Sequence, residues 1–308
     1  LINNTIGFNN TAVGSAVMRS NTTGNYNTAV GMQALYSNVS GGSNCSFGNA
    51  SMYNNISGNY NTVVGNNAMY SNKTGSQNVA VGHASLYAAD GTFYNVAVGY
   101  NSMRFTTTGD FNTVVGYNAL YTNTTGQQNT AIGYQALNAL NGGTFNVAIG
   151  VNALVANVSG GQNIAIGVAS LYTHTYGSYN TAIGYESLRL ITSGSGNIAI
   201  GTQALRSTTA SNYNTVIGYQ SMYSNTTGDQ NTAVGYAALN KNVTGINNTS
   251  VGFQSLLNNT SGSFNTAVGH NALVYNTTGA SNVAIGESAL FNNTIGIQNV
   301  GVGLNALY

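Results

Sequence analysis

Hydrophobic and polar positions along this chain repeat at one fixed interval of 17 residues, without slippage. An Asn, then small or β-branched residues, then Gly recurs at Asn10, Asn27, Asn44, Asn61, Asn78, Asn95, Asn112, Asn129, Asn146, Asn163, Asn180, Asn197, Asn214, Asn231, Asn248, Asn265, Asn282 and Asn299, which is 18 starts with no insertion or deletion. The Gly four residues on is present each time, from Gly14 to Gly303. A short, fixed period marks stacked repeat units, because a unit this small can bury its apolar residues only against its neighbours.

With that Asn as position 1, the consensus reads N-T-A-V-G-Y-x-A-L-Y-x-N-T-T-G-x-x. Position 2 is Thr, Val or Ile (Cys45 once), position 4 is Val or Ile (Phe47 once), and position 9 is Leu or Met throughout. The period-2 spacing of positions 2 and 4, with a small residue between them, predicts a strand over positions 1 to 4, and β-branched side chains favour it. A second strand is expected over about positions 6 to 10, and a third short extended piece near 16 and 17. Between them, N-T-T-G or N-V-S-G is turn chemistry. No apolar 3.6 period is sustained, and the frequent Gly would cost a helix about 1 kcal/mol each. Leucine-rich repeats share an A-L-x-x-N element, but their period of roughly 20 to 29 is too long.

The predicted fold is therefore all-β: a parallel β-solenoid (β-helix or β-roll) of 18 coils of 17 residues, forming one domain over 1–308. Coils about 4.8 Å apart would give a rod of roughly 85 Å. Positions 2, 4 and 9 are the expected core. Cys45, in one of those columns, reads as a small hydrophobe. The 18 position-1 asparagines are expected to form a structural ladder, each amide donating and accepting between coils. The position-5 Gly is expected at a left-handed or crowded corner. Tyr at positions 6 and 10 (Tyr117, Tyr134, Tyr219, Tyr236; Tyr36, Tyr53, Tyr70, Tyr121) is expected to stack on the surface, as packing or as a sugar-binding row.

Composition narrows the function. Only 4% of the residues are charged, with six basic and five acidic side chains and a net charge of +1. That balance offers no footprint for nucleic acid. No apolar run approaches the ~20 residues of a membrane helix, so membrane insertion is not expected. The sparse ionisable groups contain no placed acid–base pair, so the chain is not expected to be an enzyme, and no catalytic, cofactor or metal residues are assigned. His83 and His270 share position 6 eleven coils apart, and His174 sits at position 12, so they cannot share a metal. Gly301 and Gly303 form a G-x-G that is a product of the repeat, without a phosphate-loop Lys. Glu186 and Arg189 are expected to form a surface ion pair. One cysteine allows no internal disulfide.

Position 12 also carries N-x-S/T sequons at Asn21, Asn38, Asn55, Asn72, Asn123, Asn157, Asn225, Asn242 and Asn276. Placed on the turn, these are candidate glycosylation sites along one edge. The sequence opens at repeat position 9 and closes at position 10 with no polar capping coil, so a segment of a longer rod or end-to-end stacking is expected.

The repeat N-T-A-V-G-Y-x-A-L-Y-x-N-T-T-G resembles those of phage-type tail fibre proteins, especially fibres ending in a self-cleaving chaperone domain. Its core, N-T-A-V-G or N-V-A-I-G, is also similar to the S-V-A-I-G units of YadA-type heads in trimeric autotransporter adhesins, which are left-handed parallel β-rolls with a shorter coil. The resemblance spans the whole chain. It implies left-handed coils, trimeric fibres and attachment to cells or surfaces. The expected function is thus the shaft of a fibre outside the cell or on a virion surface, self-associating as a homotrimer or head-to-tail filament, with cell-surface glycans as candidate ligands. The competing reading is a binding module for ice or carbohydrate.

Overall fold

The computed structural model describes residues 2–308. The chain parts into two compact units, Leu1–Ser159 and Gly160–Tyr308, although the repeat interval of the sequence runs unchanged through the boundary. Unit 1 holds strands β1 (Thr11–Val13), β2 (Thr28–Val30), β3 (Cys45–Phe47), β4 (Thr62–Val64), β5 (Val79–Val81), β6 (Val96–Val98), β7 (Thr113–Val115), β8 (Thr130–Ile132) and β9 (Val147–Ile149). Unit 2 holds β10 (Ile164–Ile166) to β18 (Val300–Val302), and no helix occurs among the described residues. Each unit is a parallel β-solenoid. Within a unit every strand pairs with its equivalent one coil on, as in Thr11↔Thr28 and Ile164↔Thr181.

The strand occupies positions 2 to 4. Among the described residues, the extended piece expected near positions 16 and 17 is reduced to one isolated bridge, between Ser76 and Phe93. Positions 6 to 10, expected to be a second strand, instead form a turn-rich segment in which the residues at positions 7 and 9 have positive φ, as does position 17. Asn118, Leu120 and Phe111 show the pattern, at 50°, 49° and 58°. A left-handed non-glycine residue costs roughly 1 to 2 kcal/mol, and burying a Leu side chain returns about 1.5 to 3 kcal/mol. That gain offsets the bend at position 9; the bends at positions 7 and 17 lie nearer the surface, and Gly196 alone among them is glycine. The backbone groups still pair from coil to coil: Gln33 N–H donates to the Ser15 carbonyl at 2.9 Å and Leu35 N–H to the Ser51 carbonyl at 3.0 Å. Position 5 does require glycine. Gly133 has φ 131°, and a Cβ there would lie 2.5 Å from the carbonyl oxygen of Gly150 in the next coil.

The core also differs from expectation. Position 3 points inward, and positions 2 and 4 point outward: Ala29, Ala80 and Val114 are fully buried, whereas the residues on either side of each are partly or fully exposed. Also buried, in every coil from Asn10 on but the last, are position 8, Ala or Ser except for Val17, and the Leu or Met of position 9. Position 3 is Ala in most coils and Val at Val63, Val114 and Val216, so the closed coil turns a column of small to medium side chains inward and leaves the residues of positions 2 and 4 on the outer face. Cys45 is accordingly half-exposed on the outer face rather than in the core. Where serines stand at both positions 3 and 8 they pair within the coil, with Ser46 Oγ 2.6 Å from Ser51 Oγ and Ser250 Oγ 2.5 Å from Ser255 Oγ; a lone Ser at position 8, such as Ser85 or Ser102, donates to the position-5 Gly carbonyl instead.

Candidate functional site

The position-1 asparagines, buried except for the partly exposed Asn10 and Asn299, are joined into one amide ladder per unit. In unit 1 it runs from Asn10 to Asn146 and in unit 2 from Asn163 to Asn299, each Nδ2 lying 3.1–3.3 Å from the preceding Oδ1. Asn112 shows the full set of bonds. Its Oδ1 accepts from the backbone N–H and Nδ2 of Asn129 at 3.0 and 3.1 Å, while its Nδ2 donates to Asn95 Oδ1 at 3.2 Å and to the Gly126 carbonyl at 3.0 Å. The last bond ties the start of a coil to position 15 of the same coil, closing it. All amide valences are used internally, which leaves none for a ligand.

Position 12 forms a second interior column that sequence reasoning missed. The sequon asparagines Asn21, Asn38, Asn55, Asn72, Asn123, Asn157, Asn225, Asn242 and Asn276, and Asn259, which begins a tenth sequon in the same column, have no exposed surface. In the first coils of unit 1 and the last of unit 2 their amides link directly, as in Asn38 to Asn21 and Asn55 to Asn38, both at 2.7 Å, and Asn276 to Asn259 at 2.8 Å. A glycan on such a nitrogen would have no room, so the folded chain does not offer these sequons for glycosylation. The turn expected to carry them outward lies at positions 13 and 14. What could have revealed the inward asparagine was the alternative occupants of its column, Ala89, Leu140 and Ile191, which are apolar.

His174 occupies the same column, fully buried. Its Nε2 lies 3.3 Å from Asn180 Nδ2, and its Nδ1 has no hydrogen-bond partner. Burial lowers its pKa to about 4, a hydrogen bond with the Gly194 carbonyl acting weakly the other way. A neutral imidazole here replaces an amide.

The charged groups are few and outward. Glu186 pairs with two arginines rather than the one expected: Arg206 Nε at 2.7 Å and Arg189 Nε at 3.4 Å, with Gln203 Nε2 donating at 3.2 Å. The Arg206 hydrogen bond holds the Glu186 carboxyl below the usual carboxylate range, and the Arg206 guanidinium is raised in turn. Lys73 and Asp90 bridge successive coils at 2.7 Å. Among the described residues, no three His, Cys, Asp or Glu come close enough to hold a metal ion.

Aromatic columns line the surface. Tyr36, Tyr53, Tyr70 and Tyr87 stack at 4.8–5.3 Å with interplanar angles of 3–9°, and Arg19 and Arg104 lie over the two end rings. Tyr100, Tyr117 and Tyr134 stack at position 6 in unit 1, and Tyr219, Tyr236 and Phe253 in unit 2. Stacking covers the ring faces and leaves the edges to solvent. Sugar recognition by an aromatic face is therefore confined to column ends, and the arginines cover those of the Tyr36–Tyr87 column. In unit 2 a shallow groove of about 470 Å³ runs between positions 11 and 13, lined by Lys241, Tyr275 and Thr277 among others.

No protein-family model matches the chain, and neither a curated protein nor a solved structure is similar enough to it to count as a match.

Proposed function

We propose that this is a structural protein, the shaft of an extracellular or viral fibre. One observation carries the reading: within each unit every coil repeats its neighbour in register, with the same backbone pairings and the same buried amide ladder. Such a stack resists bending because each coil is bonded to the next by strand, turn and side chain together. The scarcity of ionisable groups suits a scaffold better than a catalyst, and the amides that might have bound a ligand are consumed inside. The likeness of N-T-A-V-G-Y to tail-fibre and YadA-type repeats supports the same reading, with self-association and a place outside the cell or on a virion.

Electron microscopy of the purified protein tests it. Filaments or bundled rods with a repeat of about 4.8 Å along the axis are expected; particles that remain globular, with no such repeat, would remove the proposal.

Ice binding is the second reading, favoured by one observation: Thr at position 2, as in Thr113, faces outward on a regular sheet. The column is interrupted by Val, Ile and Cys45, and protruding aromatic residues flank the strand. Thermal hysteresis in the purified protein would support it, and none is expected.

A further inference from the structure

The outward face of the sheet is the least explained surface of each unit. Its rows are position 2, Thr, Val or Ile, and position 4, almost always Val or Ile. Ile132, Ile164, Ile198 and Ile217 on these rows are 37–38% exposed. Aromatic residues flank the strand in the chain, at position 17 on one side and position 6 on the other. In unit 1, Tyr94 and Phe111 stack at 5.0 Å and are 50% and 53% exposed, while Tyr100, Tyr117 and Tyr134 are 46–47% exposed. None of the six basic and five acidic residues falls at positions 17 or 1 to 5 in any coil.

Two physical arguments say that this face is covered in use. Soluble monomers rarely expose a contiguous apolar patch larger than a few hundred Å². With two outward side chains per coil exposing roughly 50 Å² each, nine coils present on the order of 900 Å², against about 800 Å² per partner in a standard interface. Aromatic enrichment and charge depletion are also the composition of an interface core.

The period selects the occupant. Side chains on this face recur at the spacing of the stacked coils, about 4.8 Å, and a surface that interdigitates with them along its length must share that spacing. A second copy of the same chain does so by construction, row against row, as in a dry β-zipper. An ice surface requires a flat, uniform array, and row 2 changes among Thr, Val, Ile and Cys45 from coil to coil.

We propose that two copies of this chain pack side by side through the outward sheet faces, rows 2 and 4 interdigitating, with the aromatic columns at the margins. This rests on the fibre reading and adds to it the surface by which shafts are bundled.

The test uses the full chain, wild type and two single variants, Val115→Lys and Thr113→Lys, both on the exposed face of β7. Sedimentation velocity over a concentration series measures association, and thermal melts monitored by circular dichroism establish that each variant is folded. The wild type is expected to associate, and each folded variant to raise the dissociation constant about a hundredfold, because a lysine would be placed without a partner against rows of uncharged Val, Ile and Thr side chains. Two substitutions guard against one failing to fold. A wild type that stays monomeric, or folded variants that associate as tightly as wild type, would overturn the proposal. Electron micrographs separate this from the fibre reading: single-width filaments in either case leave the fibre standing while sinking the lateral contact. Monomers with thermal hysteresis that both variants abolish would assign the face to ice instead.

Discussion

At the scale of the residue, the asparagines carry the argument. An Asn at position 1 satisfies four buried partners at once, so its removal strands donors and acceptors that no water can reach. Asn112→Ala is expected to destabilise unit 1 by about 3 kcal/mol or more, since each buried polar group left unpaired costs roughly 1 to 3 kcal/mol; urea denaturation would read the loss. His174 gives a residue-scale prediction with a sign. Its folded pKa of about 4 lies below the ordinary 6.5, so above pH 6.5 the imidazole is neutral whether the chain is folded or not, and stability is complete. Between pH 6.5 and 4 the unfolded chain takes up a proton that the folded one refuses, and stability falls as pH falls. Below about pH 4 the loss is complete, at up to about 3 kcal/mol. His174→Asn is expected to flatten that dependence in melts recorded from pH 7 to pH 4.

At the scale of the element, the three-residue strand is too short to be stable alone and works only as a ladder of copies. Its inner residue is constrained by volume and its outer ones by β propensity, which makes neighbouring positions respond oppositely to substitution. Leu120, buried at position 9, should lose about 2 to 5 kcal/mol on change to Ala. Val115→Thr, on the outward row, should stay within about 0.5 kcal/mol. Parallel denaturation of the two variants checks the inside–outside assignment directly, and a large loss at Val115 would reverse it.

At the scale of the whole molecule, each unit is a one-dimensional sum of coil energies and coil–coil contacts. Removing one entire period therefore leaves every remaining contact type in place. Deletion of residues 112–128 joins Phe111 to Asn129, position 17 to position 1, and is expected to give a folded protein with a slightly lower melting temperature. Deletion of residues 112–119, half a period, would bring position 9 to follow position 17 and set every downstream column against the wrong one. That variant is expected to lose cooperative melting in unit 1. Circular dichroism of the two deletions distinguishes a register-locked stack from a collapsed globule.

The sequence alone determined the period, the all-β class, the parallel stacking and the position-1 ladder, because each depends on repetition, which a chain displays openly. It also located the glycine corner, where Gly at position 5 never varies. Which way side chains point was decided only in the tertiary structure. Alternation assigns positions 2 and 4 to one face and position 3 to the other, but it cannot say which face is inside; the closure of the coil does, and it takes Ala29 and Val114 inside while leaving Val30 and Val115 on the outer face. The left-handed bends at positions 7 and 9 were hidden for a related reason. At position 9 Leu and Met do not advertise positive φ, and they accept it here because closing the coil buries them; position 7, as at Asn118 and Gln135, takes it while still partly exposed. Asn21 and its equivalents look like turn residues in sequence and become core residues for the same cause: the closure of each short coil on itself sets what lies within.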